Sequence, residues 1–188
     1  MFEISNVKLV QPEYVFMKKI SPILLILFIS ACATVQSVIK STFPYTATLV
    51  LPRTTPVKTE QTAIGIAASF DQKLGNDGKG EVKIKDVRVI SANLKSKDPS
   101  DFNIGNLSSV KIYISNPEGT SELMVASRKD ITPTVGNSMV LDVDNATVLD
   151  ELVKDPQLKI RMVYTLRNHI NVDASLKLVI SVNASPGK

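Results

Sequence analysis

The chain has no tryptophan, one histidine and one cysteine. Each scarcity closes off some chemistry. A single cysteine cannot make an intrachain disulfide, so the fold must rest on its apolar core. His169 and one thiol cannot assemble a metal site of imidazole or thiolate ligands, which needs several of them. A Ser-His-Asp device would have to use His169, and no Gly-x-Ser-x-Gly elbow accompanies it. His169 sits between two apolar runs, where an exposed turn histidine is the simpler reading. Aromatics are few as well, at six Phe and four Tyr. Phe2, Tyr14, Phe16 and Phe28 precede the cysteine, which leaves Phe43, Tyr45, Phe70, Phe102, Tyr113 and Tyr164. Sugar-binding and base-stacking surfaces usually display several exposed aromatics, so the shortage weighs against both.

What the chain does have begins with an apolar run at residues 20–29, preceded by Lys18 and Lys19 and closed by Ser30, Ala31 and Cys32. A basic flank, a short apolar stretch and a small-residue exit form a secretory signal. The run is too short for a membrane span, which needs about 20 apolar residues. Ile29-Ser30-Ala31-Cys32 resembles the lipobox of bacterial lipoproteins: an aliphatic residue, a small one, Ala or Gly, then Cys. The resemblance covers residues 17–32. It implies export, cleavage between Ala31 and Cys32, a diacylglycerol on the Cys32 thioether and an acylated N-terminus. It also implies a place in the bacterial cell envelope, at the outer membrane, facing the periplasm or the surface. The alternatives are an ordinary cysteine near a cleavage site, or an apolar run that is a buried helix. Residues 1–16 include Glu3 and Glu13, which suit a signal poorly, so Met17 is the expected start and 1–16 an upstream extension.

The expected organisation is therefore a leader at 1–31, a lipidated N-terminus and tether at 32–43, and a domain at 44–188. Removing residues 1–31 from the 188 leaves 157, enough for a single core. Setting aside Lys8, Lys18, Lys19, Glu3 and Glu13 leaves 19 bases against 16 acids, a net of +3. That balance makes no electrostatic case for nucleic acid. Lys79, Lys83, Lys85, Arg88, Lys95 and Lys97 form a locally basic stretch. Glu81, Asp86 and Asp98 interleave with them, so a solvated strand face is expected.

Most of the domain reads as β-strand. Ile170, Val172, Ala174, Leu176, Leu178, Ile180 and Val182 occupy alternate positions, with polar residues in most gaps. That period marks a strand with one buried face. Leu158, Ile160, Met162, Tyr164 and Leu166 alternate likewise, and the two runs read as a long hairpin around 167–169. Strands are also expected at 45–51, 61–70, 82–94 and 110–115, at Leu123 and Val125, and at 139–143. Residues 116–119 supply turn chemistry, and Asn76-Asp77-Gly78-Lys79-Gly80 reads as a hairpin turn. Asp86 breaks the alternation, which suggests a bulge. Val148, Leu149, Leu152 and Val153 fall at helical spacing, so a two-turn helix is expected at 147–154, capped by Asp144 or Asn145.

Eight or so strands and one short helix point to an antiparallel β-sandwich with an immunoglobulin-like Greek key. An up-and-down barrel is the second choice. The pattern is also similar, without a diagnostic motif, to the late-embryogenesis-abundant type 2 sandwich, and no function is carried across from it. Asp142-Val143-Asp144-Asn145 could offer oxygens to calcium, but the glycine and the closing Glu of an EF-hand loop are absent, so a strand end and a cap are expected. Asp150 and Glu151 are adjacent and should point apart. Catalytic, cofactor and metal residues are all expected to be none. The functional expectation is a lipid-anchored binding, adhesion or envelope-assembly module that is not an enzyme. Its partners would be the membrane, through Cys32, and a protein or a surface glycan, with no nucleic acid. The alternatives are a hydrolase or carbohydrate-active accessory protein, marked by two close acids in a deep cleft, and a lipid carrier, marked by an apolar cavity.

Overall fold

The computed structural model describes residues 41–69, 84–155 and 157–186. Eight strands carry the chain: β1 Ser41–Leu51, β2 Glu60–Ser69, β3 Ile84–Asp98, β4 Leu107–Ser115, β5 Leu123–Arg128, β6 Ser138–Val143, β7 Gln157–Leu166 and β8 Ala174–Pro186. They close into an antiparallel barrel in the order β1-β2-β7-β4-β5-β6-β3-β8, with β8 returning to β1.

This closure corrects the expected immunoglobulin-like sandwich. Two four-stranded halves are present, but both seams between them are paired. Tyr45 and Thr46 of β1 meet Ser69 and Ala68 of β2, and Ala126 and Ser127 of β5 meet Val143 and Asp142 of β6. Alternation reports that one face of a strand is buried, which is equally true of a sandwich and a barrel. The strand order is not up-and-down either, since β7 inserts between β2 and β4 and β3 between β6 and β8. The expected hairpin β7–β8 does not form, and among the described residues β2 and β3 do not pair with each other. β7 pairs with β2 and β4, while β8 pairs with β1 and β3. The chain at 167–173 crosses one end of the barrel and buries Ile170 there, and Val172 stays half-exposed.

The inward faces make one core. In β7 it takes Leu158, Ile160, Met162, Tyr164 and Leu166; in β8, every even position from Ala174 to Ala184. Tyr164 keeps its hydroxyl satisfied by Thr55 Oγ1 at 3.2 Å. Burial pushes the Tyr45 phenol up to about 12. The core face of β2 is made of the small residues Ala63, Gly65 and Ala67 because β1 crosses close above it. A Cβ on Gly65 would lie 2.7 Å from the Thr48 carbonyl oxygen.

β3 curves around β8 through three register shifts, between Lys85 and Arg88, Val89 and Ser91, and Ser96 and Asp98. The first contains Asp86, which has φ +53°, so the bulge read from the sequence is present. The second places one extra residue at Ile90. Buried positions therefore run Val87 and Val89 before it and Ala92, Leu94 and Ser96 after it.

The expected helix at 147–154 is replaced by a loop ending in a single 3-10 turn, Leu152–Lys154. The segment keeps one helical bond, from the Val153 N–H to the Leu149 carbonyl at 3.1 Å, but its first turn is committed to β3. Leu149 donates its N–H to the Val87 carbonyl at 2.9 Å, and the Asp150 carboxylate accepts the Val87 and Asp86 amides at 2.7 and 3.1 Å. The helical spacing of Leu149, Leu152 and Val153 still buries all three.

Antiparallel pairing sorts the connections into two ends. The near end holds Ser41, Ile84, Pro186, the 116–122 turn and the 144–155 loop. The far end holds 52–59, 99–106, 129–137 and 167–173. Phe102, Ile104, Ile131 and Ile170 plug the far end. Asn103 ties its loops together, accepting from Gly105 N at 2.8 Å and Gly136 N at 3.2 Å and donating to the Pro133 carbonyl at 2.7 Å.

Candidate functional site

Ala31 and Cys32, the residues of the expected cleavage and lipidation, lie outside the described residues, as does the 76–80 turn. β1 already begins at Ser41, so residues 41–43 of the expected tether pair with Ala184, Asn183 and Val182.

The acids singled out by the sequence have structural partners. Asp144 accepts the Ala146 amide and the Thr147 hydroxyl, each at 2.9 Å, and these bonds hold its carboxyl below the usual range. Asp142 pairs with Arg128 at 2.9 Å. Asp150 is occupied by the β3 amides, and Glu151 pairs with Lys154 at 2.6 Å. Among the described residues no group of three His, Cys, Asp or Glu is placed to hold a metal. His169 is exposed in the far-end connection.

Two shallow depressions open on the outside of the barrel. One, of about 330 Å³, lies at the near end between the 116–122 turn and the 144–155 loop. Leu123, Val148, Leu149 and Leu152 give it an apolar floor, with Glu122, Asp150 and Glu151 around it. Glu122 is held by both Arg161 Nε and Nη2, at 2.7 and 2.6 Å, which lowers its carboxyl and raises the Arg161 guanidinium. The second, of about 160 Å³, follows the β5–β6 seam beside Asp142 and Asp144.

The outer faces of the two halves differ in how their charges are used. On the β2-β7-β4-β5 half, Arg161 stacks on the Tyr113 ring at 4.2 Å while gripping Glu122, and Lys111 pairs with Glu60 at 2.7 Å. On the β6-β3-β8-β1 half, Lys95 of β3 stands directly opposite Lys177 of β8. Lys97, two residues on, reaches the Thr48 hydroxyl on β1 at 3.5 Å, and Thr48 is itself opposite Lys177. All three lysines are exposed, and among the described residues no carboxylate forms an ion pair with any of them. Thr46, Asn93, Ser138 and Ser175 take neighbouring outward positions, together with Val50, Val140 and Val179. The sequence hides this cluster because Lys177 comes from a strand far along the chain from Lys95 and Lys97.

The interior of the barrel is apolar, unlike the polar lumen of a barrel that faces lipid, and the outer faces mix Thr, Ser, Lys and Arg with half-exposed Val50, Ile64, Ile66, Ile90 and Val140. Among the described residues no helix is long and apolar enough to cross a membrane. No family model, curated protein or solved structure matches the chain.

Proposed function

We propose that the chain is an exported bacterial lipoprotein, held at the cell envelope by acyl chains on Cys32, whose barrel acts as a binding or assembly module. The observation that carries the reading is the order of Lys18-Lys19, the apolar run and Ile29-Ser30-Ala31-Cys32. The geometry of the barrel is compatible with it. Cys32 lies nine residues before Ser41, a reach of about 30 Å at full extension, and Ser41 opens at the near end. The anchor would leave the far end and the sheet faces free for a partner. Binding is favoured over catalysis because Glu122 and Asp150, two of the acids around the larger depression, are engaged by Arg161 and by the β3 amides, and Glu151 is paired with Lys154. A general acid or base must instead be free to exchange its proton with a substrate.

Expression of the full chain in a bacterium fed a labelled fatty acid tests the anchor. The wild type should take up label and fractionate with membranes, and Cys32→Ala should do neither. Two or more acyl chains give stable attachment, so release of the wild type by salt washing would count against the anchor. Equal labelling of both proteins would sink the proposal.

A further inference from the structure

Lysines directly opposite one another on a sheet repel, and such pairs destabilise the ladder that holds them. Lys95 and Lys177 are such a pair, and the bond from Lys97 to Thr48 brings a third ammonium to the same rows. Elsewhere on the barrel Lys111 reaches the Glu60 carboxylate across β7, and Arg128 and Arg161 each have a carboxylate on a neighbouring strand or turn. Here the nearest acid in the register is Asp98, beside Ser175, and it pairs with none of the three. The surrounding outward groups are the hydroxyls and amide of Thr46, Thr48, Ser138, Ser175 and Asn93, with Val50, Val140 and Val179 between them and no aromatic.

We propose that the outer face of β1, β8 and β3 is a binding surface for an anionic polysaccharide bearing closely spaced phosphate or carboxylate groups, held by charge and hydrogen bonds and not by aromatic stacking. Opposed lysines hold their Cβ atoms about 5 Å apart, so two ammonium groups can share one anionic group or flank two successive ones. Hydroxyls and an amide beside them suit the oxygen-rich backbone of such a polymer. The proposal rests on the binding-module reading for its biological setting, but its chemistry does not depend on the anchor.

The full chain, purified in a nonionic detergent, is titrated calorimetrically with inorganic polyphosphate and with polygalacturonate. Binding to at least one, weakening as salt rises, is expected, and the arm that binds identifies the anionic group. The triple variant Lys95→Gln, Lys97→Gln, Lys177→Gln should bind about tenfold more weakly, the combined effect of three modest exposed contacts. A control of equal net charge, Lys58→Gln, Lys129→Gln, Lys159→Gln, should lose less than about twofold. Without polymer the first variant should melt at or above the wild-type temperature, and polymer should raise the melting temperature of the wild type alone. Failure of the wild type to bind either polymer, equal losses in both variants, or tighter binding to single-stranded DNA would each overturn the proposal. So would a first variant that melts well below the wild type, since the lysines would then be structural. Loss of fatty-acid labelling would remove the anchor while leaving polymer binding measurable, so the two ideas fail separately.

Discussion

Gly105 shows how closely the far-end plug is packed. A Cβ placed there would overlap the Pro133 carbonyl oxygen and stand 2.8 Å from that of Thr132. Both contacts are to backbone, so a side chain cannot swing aside to relieve them. The same loop depends on Asn103 for two amides and a carbonyl. Gly105→Ala should therefore destabilise the protein by about 1–3 kcal/mol, the range for overpacking a filled site. Denaturant unfolding of the wild type and the variant checks this; an unchanged midpoint would mean that the 99–106 and 129–137 loops do not hold each other. Nothing in the sequence sets Gly105 apart from the other glycines, because its constraint comes from a loop some thirty residues away. Asp86 is the opposite case, since its interruption of an alternating run can be read locally.

Among the elements, β8 was the most legible and its surroundings the least. Even positions from Ala174 to Ala184 are buried, as the alternation of apolar and polar residues predicts. Truncating Leu178 or Ile180 to Ala should cost about 2–5 kcal/mol, the usual range for removing buried aliphatic side chains. Changing Ser175 on the outward face should alter stability by no more than about 0.5 kcal/mol. Equal costs on both faces, measured by thermal unfolding, would mean that something covers the outside of the sheet. Pairing partners were not legible, because a period of two says which way a side chain points and nothing about which strand lies alongside. That is why β7 and β8, consecutive in the chain, were expected to form a hairpin. The helix expected at 147–154 failed for a related reason. Its apolar spacing is real and buried, but Leu149 N–H and the Asp150 carboxylate are committed to β3, and no local pattern reveals a bond to a distant strand. In β3 the bulge at Ile90 shifts the buried face from odd to even positions, a change that simple periodicity blurs.

At the scale of the whole barrel, closure was not written in any one segment. It depends on two brief seams, Tyr45–Thr46 with Ala68–Ser69 and Ala126–Ser127 with Val143–Asp142, and neither stretch of sequence marks itself as a junction. Of the proposed anchor and lysine face, the first is a local motif and could be read directly. The second exists only once β3 and β8 are side by side. The long β1–β8 ladder, with all eleven residues of β1 in register from Ser41 against Ala184 to Leu51 against Ala174, has a mechanical consequence. A pull on Ser41 from a membrane, resisted by a partner held at Lys177, acts along the strands and at right angles to their hydrogen bonds. The bonds between Ser41 and the held point would then share the load, as in a lap joint. Ser41 and Ala184 are neighbours, however, so a pull between the two ends of the domain would open the same ladder one pair at a time, like a zip. In a single-molecule stretching experiment at equal speed, the barrel gripped at Ser41 and Lys177 should yield at a clearly higher force than when gripped at Ser41 and Ala184. Equal forces would mean that this ladder does not bear the load, and the resistance of the domain to tension would have to come from elsewhere in the barrel.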